Sequence, residues 1–255
     1  MSGNNSILQL DGLRKVFGGV VALDGLCLSV GEDTITSVIG PNGAGKTTVF
    51  NLVTGYLAPS SGAMIYKNTR LQGAKPHKIA LLGIGRTFQN VRIFPDMTVL
   101  ENVMVGRHAR SRAGVTVSAL LPAFLRPEEK RIQAEARSWL GFVGLADAMD
   151  MPAGSLPLGK QRMVEVARAL AIEPDLLLLD EPASGLNSRE TIAMGDLIQR
   201  IRENQITVVL VEHDMELVME VSDRVAVMNF GRLVAEGTPR EVQEDPEVIT
   251  AYLGE

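Results

Sequence analysis

Gly40-Pro41-Asn42-Gly43-Ala44-Gly45-Lys46-Thr47 sets glycines, a lysine and a hydroxyl in the spacing G-x-x-x-x-G-K-T. Glycine lets the backbone curl until successive N–H groups point into one concavity, where an anion also meets the positive end of a following helix. The strand-like Thr36-Ser37-Val38-Ile39 before the loop, and a helix expected over Thr47 to Leu52, supply that context. A polyphosphate fits such a loop. Lys46 offers a point charge to the β- and γ-phosphates, and the Thr47 hydroxyl is placed to ligate Mg2+. The nucleotide-contacting set is then Gly40, Asn42, Gly43, Ala44, Gly45, Lys46, Thr47 and Thr48.

A phosphate loop that works with Mg2+ also needs an acid for the metal. The apolar run Leu176 to Leu179 ends in Asp180-Glu181. Asp180 is placed to hold Mg2+ through water, and Glu181 to polarise an attacking water. A second strand-like run, Thr207 to Val211, leads into Glu212-His213-Asp214. Ligands of α/β sheets bind at the carboxyl ends of strands, which makes His213 a candidate hydrogen-bond partner of a γ-phosphate. His77 and His108 have no comparable context and read as surface residues. Together these residues point to binding and hydrolysis of a Mg2+-bound nucleoside triphosphate.

The elements that must carry them follow from the pattern. Ile7 to Val38 alternates apolar and polar residues in short runs broken by Gly18-Gly19, Asp24-Gly25 and Gly31-Glu32-Asp33, and a further β-like stretch covers Gly62 to Leu71. Pro127 to Leu140 has the spacing of an amphipathic helix. From Leu176 onward strands alternate with helices: Leu176 to Leu179, Arg189 to Asn204, Ile206 to Val211, Met215 to Val221 and Arg224 to Met228. Such alternation implies parallel strands with crossover helices. The expected architecture is α/β: a mostly parallel sheet, an amino-terminal antiparallel β part, and an inserted helical part at 90–165 of a single domain, 1–255.

Composition narrows the classes. With 255 residues, 45% hydrophobic and 22% charged, the chain can bury a core. A net charge of −5 argues against a nucleic-acid backbone as the main partner. Cys27 is the single cysteine, which excludes an internal disulfide and a thiolate cluster and suits a reducing cytosol. It reads as a small buried apolar residue on a strand. The polar start Met1 to Ser6 lacks a basic region followed by an apolar run, so no signal peptide is expected. No stretch approaches the roughly 18 apolar residues of a membrane span, so a membrane role would run through a partner.

Asp175 to Pro182, with Ser184-Gly185-Leu186-Asn187 after it and His213 beyond, resembles the ATP-binding cassette family, and the resemblance covers essentially the whole chain. It implies that Gln89, in Arg86-Thr87-Phe88-Gln89-Asn90, is a catalytic and metal-holding residue that links the nucleotide site to a membrane partner. It implies that Phe17, in Lys15-Val16-Phe17-Gly18, stacks on adenine. The family's Leu-Ser-Gly-Gly-Gln segment opens a helix and touches the γ-phosphate held by the opposite subunit; here it corresponds to Leu156-Pro157-Leu158-Gly159-Lys160, of which Leu156 and Gly159 match. Val166-Ala167-Arg168-Ala169-Leu170 follows the family pattern. Pro157 lacks the serine hydroxyl and a backbone donor, so this half-site should grip phosphate less well. Lys160 either brings a cation to the phosphates or is solvated, and Asn187 replaces the usual aspartate. The resulting expectation is a heterodimer whose stronger site carries this chain's Glu181; a homodimer is the alternative.

Gly85 to Asn90, the long insertion with Val115 to Leu125, and the ending Ala251 to Glu255 resemble the ATP-binding subunits of branched-chain amino-acid importers; importers of urea or other amides share much of this. The resemblance implies a Mg2+-dependent ATPase, peripheral on the cytoplasmic face of the membrane. Its partners would be transmembrane permease subunits, a second ATP-binding subunit and, indirectly, a solute-binding protein, with no nucleic acid. Val115 to Leu125 reads either as an apolar contact for a membrane subunit or as core. Rival readings are a soluble ABC ATPase in remodelling, an exporter subunit, a P-loop kinase or GTPase, and a regulator that does not hydrolyse. The chain carries neither a second cassette, nor a long coiled coil, nor an Asn-Lys-x-Asp guanine-reading string.

Overall fold

The computed structural model describes residues 6–108 and 122–248. Val115 to Leu125, read either as an apolar contact or as core, falls outside the residues whose side chains are described, and the ending 251–255 lies outside altogether.

Two sheets form, as the pattern changes along the chain demand. In the first, β1 (Ser6–Phe17) and β2 (Val20–Gly31) pair antiparallel across Gly18-Gly19, and β4 (Ser61–Tyr66) and β5 (Thr69–Arg70) extend it in the order β2-β1-β4-β5. Along β2, Leu26, Leu28 and Val30 turn inward and the residues between them face out. Cys27 is one of those: it lies on a strand as read, but it is exposed rather than buried. The side-chain period of two decides this, because its larger leucine neighbours claim the inner face.

The second sheet has the order β10-β9-β3-β8-β7-β6. Its strands β3 (Ile35–Ile39), β6 (Ile84–Arg86), β7 (Leu176–Asp180), β8 (Thr207–Val211) and β9 (Arg224–Asn229) run parallel, and β10 (Arg232–Gly237) returns antiparallel at one edge. Every residue of β3, β7 and β8 is buried. That is why they read as unbroken apolar runs: both faces are covered. The register pairs Val38 with Val211 and Asp180 with Val211, so the carboxyl ends of β3, β7 and β8 finish level with one another. The loops that carry Lys46, Glu181 and His213 therefore leave the same end of the sheet together.

Helices α1 (Lys46–Val53), α2 (Pro76–Leu81), α6 (Ser188–Glu203), α7 (Met215–Val221) and α8 (Pro239–Gln243) accompany the sheets. Between β6 and β7 lie α3 (Val99–His108), α4 (Pro122–Phe142) and α5 (Leu158–Leu170). α4 begins ahead of Pro127; its Ile132 is buried, and its Ala136 and Leu140 are buried in a cluster that includes Val99, Val103 and Val164. Burying each such side chain contributes about 1.5–3 kcal/mol for the larger ones. α5 runs through Glu165 to Leu170 before the chain re-enters the sheet at β7.

Candidate nucleotide site

The phosphate loop leaves β3 in backbone conformations that need glycine. Gly40 has φ 147°, and a Cβ there would stand 2.0 Å from the Met228 carbonyl oxygen. Gly45, with φ 104°, caps α1, and its Cβ would meet the Ala22 carbonyl at 2.7 Å and a Leu23 methyl at 2.8 Å. Both positions therefore exclude any side chain, by contact as well as by backbone strain. The loop is braced from outside, because the Gly231 N–H in the turn between β9 and β10 donates to the Ala44 carbonyl at 3.0 Å. Lys46 is buried, and its Nζ donates to the Gly40 carbonyl at 2.6 Å and the Pro41 carbonyl at 3.0 Å. Burial lowers the pKa of its ammonium, while Glu181 and Asp180 pull it back up. A cavity of about 300 Å³ opens over the loop, lined by Ala22, Asn42 to Thr48, Gln89, Glu181 and His213.

Glu181 follows the buried β7 in the left-handed region, φ 50°, a strained state for a non-glycine residue that costs on the order of 1–3 kcal/mol. Its N–H still donates to the Val211 carbonyl at 2.8 Å, extending the β7–β8 ladder while the chain turns. Both carboxylate oxygens are held: Oε1 lies 2.9 Å from His213 Nε2, and Oε2 accepts from Gln89 Nε2 at 2.9 Å. Glu212, next to His213 and buried, accepts from the Ala183 N–H at 2.7 Å and the His213 N–H at 3.0 Å. One carboxylate thus ties the loop after Glu181 to the end of β8. Burial raises the Glu212 carboxyl pKa, opposed by these backbone donors. Its role is not visible in sequence, where Glu212 is merely the acid before a histidine.

Asp180 is buried at the end of β7. Arg86 Nη2 donates to its Oδ2 at 2.9 Å, and the Asp180 N–H donates to Thr87 Oγ1 at 3.2 Å. Its Oδ1 is buried with no hydrogen-bond partner. Desolvation raises the Asp180 pKa; the Arg86 guanidinium lowers it. Beside it a second cavity of about 210 Å³ is lined by Thr47, Asn51, Arg86, Gln89 and Asp180, among others. Asp180, with one unpartnered carboxylate oxygen, and Thr47, with its hydroxyl, line the same cavity, a pair of oxygen donors that suits a hard cation such as Mg2+, which keeps most of its ligands as water and phosphate. No group of three or more His, Cys, Asp or Glu side chains able to hold a metal ion occurs among the described residues. Gln89 lines both cavities, and its side-chain nitrogen is engaged by Glu181.

A family model described as ABC transporter matches residues 23–184, and a second, described as branched-chain amino acid ATP-binding cassette transporter, matches residues 232–255. The chain is 45% identical to the high-affinity branched-chain amino acid transport ATP-binding protein BraF of Pseudomonas aeruginosa, over 98% of each chain. It is 43% identical to LivG of Escherichia coli, a protein of the same description, again over 98% of each. The chain belongs to the ABC transporter family. Solved ABC structures agree with the fold: a nucleotide-free ATP-binding cassette from an ABC transporter superposes with a TM-score of 0.86 at 31% identity, covering 98% of this chain and 100% of that one. An ATP-binding cassette in its ADP conformation gives 0.86 at 32% identity, over 98% and 99%.

In this ABC chain the remaining family positions fall outside the cavity lining. Phe17 is exposed at the end of β1, with Lys15 Nζ 4.8 Å from its ring centre. Pro157 is the N-cap of α5 and makes no side-chain cap bond. Gly159 packs so closely on Glu190 that a Cβ would lie 2.6 Å from its Oε1, and Lys160 is exposed. Asn187 caps α6 through a capping box with Glu190, and its Nδ2 donates to Glu190 Oε2 at 2.7 Å. His77 and His108 are exposed, as read.

The helix opened by Pro157 nevertheless reaches the site. Buried Arg162 donates to the Ser184 carbonyl at 3.0 and 2.8 Å and to the Gln89 carbonyl at 3.3 Å. Buried Glu165 accepts from the Arg92 N–H at 3.2 Å, and Arg168 donates to the Arg92 carbonyl. α5 therefore grips the segment after Gln89 and the loop after Glu181 at once. The only signal for this in sequence is a set of charged residues on a helix whose pattern otherwise asks for burial.

Proposed function

We propose that this chain is the ATP-hydrolysing subunit of a membrane importer for branched-chain amino acids or related small polar solutes. The hydrolytic part of the reading rests on Glu181, whose two oxygens are oriented by His213 and Gln89 at the mouth of the phosphate cavity. Lys46 and the loop N–H groups would bind the β- and γ-phosphates, His213 the γ-phosphate, and Glu181 would orient the attacking water. Asp180 and the Thr47 hydroxyl would hold Mg2+, with Gln89 beside them; the ion neutralises charge on the transferred phosphoryl group.

The transport part is supported by relatives at 43–45% identity that bear the branched-chain amino acid description over nearly their full length. As one domain with an inserted helical part, the chain would pair with a second ATP-binding subunit, Pro157 and Gly159 closing the partner's site and Phe17 stacking on adenine. A heterodimer suits the degenerate Pro157. No helix among the described residues is long and apolar enough to cross a membrane. Attachment to the cytoplasmic face would therefore run through permease subunits, with Gln89 as the link and a solute-binding protein acting on the far side.

The test is reconstitution of this chain with co-purified membrane partners in liposomes. ATP-driven uptake of labelled leucine, lost without this chain, is the expected result. ATP turnover indifferent to every membrane partner, with no uptake of leucine or small amides, rejects the transport reading.

A further inference from the structure

We propose that Arg86 is a positioning residue for the divalent cation, holding one oxygen of Asp180 so that only the other is offered to the metal. The inference rests on Thr47 and Asp180 being the metal-holding pair. Arg86 ends β6, whose register pairs it with Leu178, two residues before Asp180 on β7. Its guanidinium is fixed on several sides. Nη1 donates to Asn51 Oδ1 at 2.8 Å and Thr54 Oγ1 at 3.0 Å, Nη2 donates to Asp180 Oδ2 at 2.9 Å, and the rings of Phe50 and Phe88 lie 5.5 and 4.9 Å from its central carbon. Both side chains are almost wholly buried, 6% exposed for Arg86 and 2% for Asp180.

Three consequences follow from that geometry. An arginine keeps its charge in any protein environment, so Oδ2 has a permanent cationic partner. A carboxylate held at one oxygen by a buried guanidinium, on a residue whose backbone N–H donates to Thr87 Oγ1, is restrained from turning to present both oxygens to a metal. The unpartnered Oδ1 is then the oxygen left for an ion or its water, and Thr47 on the same cavity supplies the neighbouring ligand. Mg2+ demands a fixed octahedral geometry and suits a single well-aimed oxygen, whereas a loose bidentate carboxylate suits larger ions. Arg86 also sits three residues before Gln89, so movement of that loop would be felt at the metal ligand through one side chain.

The test measures Mn2+ binding by electron paramagnetic resonance in the presence of ADP, alongside ADP binding in a chelator, on the full chain. Arg86→Gln is expected to weaken Mn2+ binding by about 10-fold to about 100-fold, while chelator-state ADP binding stays within about 2-fold, as for loss of a residue that orients a metal ligand. Arg86→Lys keeps the charge without the fork and should lose about 3-fold to about 10-fold. Because the glutamine variant leaves Asp180 buried without its cation, Asn51→Ala serves as a milder probe: it loosens Arg86, keeps the ion pair, and should weaken Mn2+ binding by about 3-fold. Variants that melt earlier yet bind Mn2+ like the wild type overturn the proposal, since a purely structural ion pair behaves that way. A wild-type chain that binds ADP but no Mn2+ would overturn the metal-site reading first, and the role of Arg86 with it.

Discussion

Glu181 Oε1 and His213 Nε2 stand 2.9 Å apart although their residues belong to different strand ends, because the register that pairs Asp180 with Val211 brings those ends level. Gln89 holds the other oxygen of Glu181 at 2.9 Å, so the carboxylate is aimed rather than free. Glu181→Gln keeps the length of the side chain but replaces one acceptor by a donor. Turnover should fall by at least about 100-fold, with ATP affinity within about 3-fold of wild type, as phosphate release and nucleotide titration would show. Hydrolysis at the wild-type rate would reject the role given to Glu181.

Glu212 reaches the reaction through the backbone. It accepts from Ala183 and His213 N–H groups with its two oxygens, which an amide at this position cannot copy. Glu212→Gln leaves a buried backbone donor facing an NH2 group, at a cost of about 1–3 kcal/mol. The expected result is an earlier thermal transition together with kcat lowered about 10-fold and an ATP KM within about 2-fold. A variant with a lower Tm and unchanged kcat would make Glu212 a stabilising residue only.

What could be read in advance and what could not divides along the same line. The phosphate loop is local: its glycines, lysine and threonine are neighbours in the chain, so Gly40 to Thr47 is legible as a string and the fold only adds why Gly40 and Gly45 admit no side chain. Asp180, Glu181 and His213 are legible as strand ends, since two apolar runs stop at them. Arg86, Arg162, Glu165 and Glu212 are not, because each works by holding backbone or a carboxylate from an element distant in sequence. The architecture follows from periodicity; residue preference puts Cys27 inside, whereas its alternation with Leu26 and Leu28 places it outward, as the strand shows. α4 extends ahead of Pro127, where proline reads as a start rather than an interior residue.

Lys46 is buried and has folded its ammonium onto the Gly40 and Pro41 carbonyls of its own loop. Those contacts keep the side chain at the wall of the cavity it would serve. Lys46→Ala should weaken ATP binding by at least about 100-fold, the loss of a charge-assisted contact in a partly desolvated site. Equilibrium binding of a fluorescent ATP analogue would measure it. Affinity within about 3-fold of wild type would remove Lys46 from the phosphate contacts.

Glu165 supplies a pH-dependent contribution whose sign can be worked out. Its side chain is buried, and desolvation raises its pKa above the ordinary carboxylate range, against the opposing pull of the Arg92 and Phe88 N–H groups and Arg168. The folded chain therefore keeps the proton to higher pH than the unfolded chain does. Between those two values the native state binds more protons, so stability falls as pH rises and levels off above the folded value; below the unfolded value both states are protonated and the effect vanishes. Glu165→Gln cannot ionise and lacks this dependence. The Tm of the glutamine variant minus that of the wild type, measured without nucleotide at fixed ionic strength, should therefore be larger at about pH 8 than at about pH 5. A flat difference across that range would mean that the Arg92 N–H and Arg168 contacts fully offset the desolvation of Glu165, and a difference that runs the other way would mean that they outweigh it and hold Glu165 ionised to lower pH than in the unfolded chain.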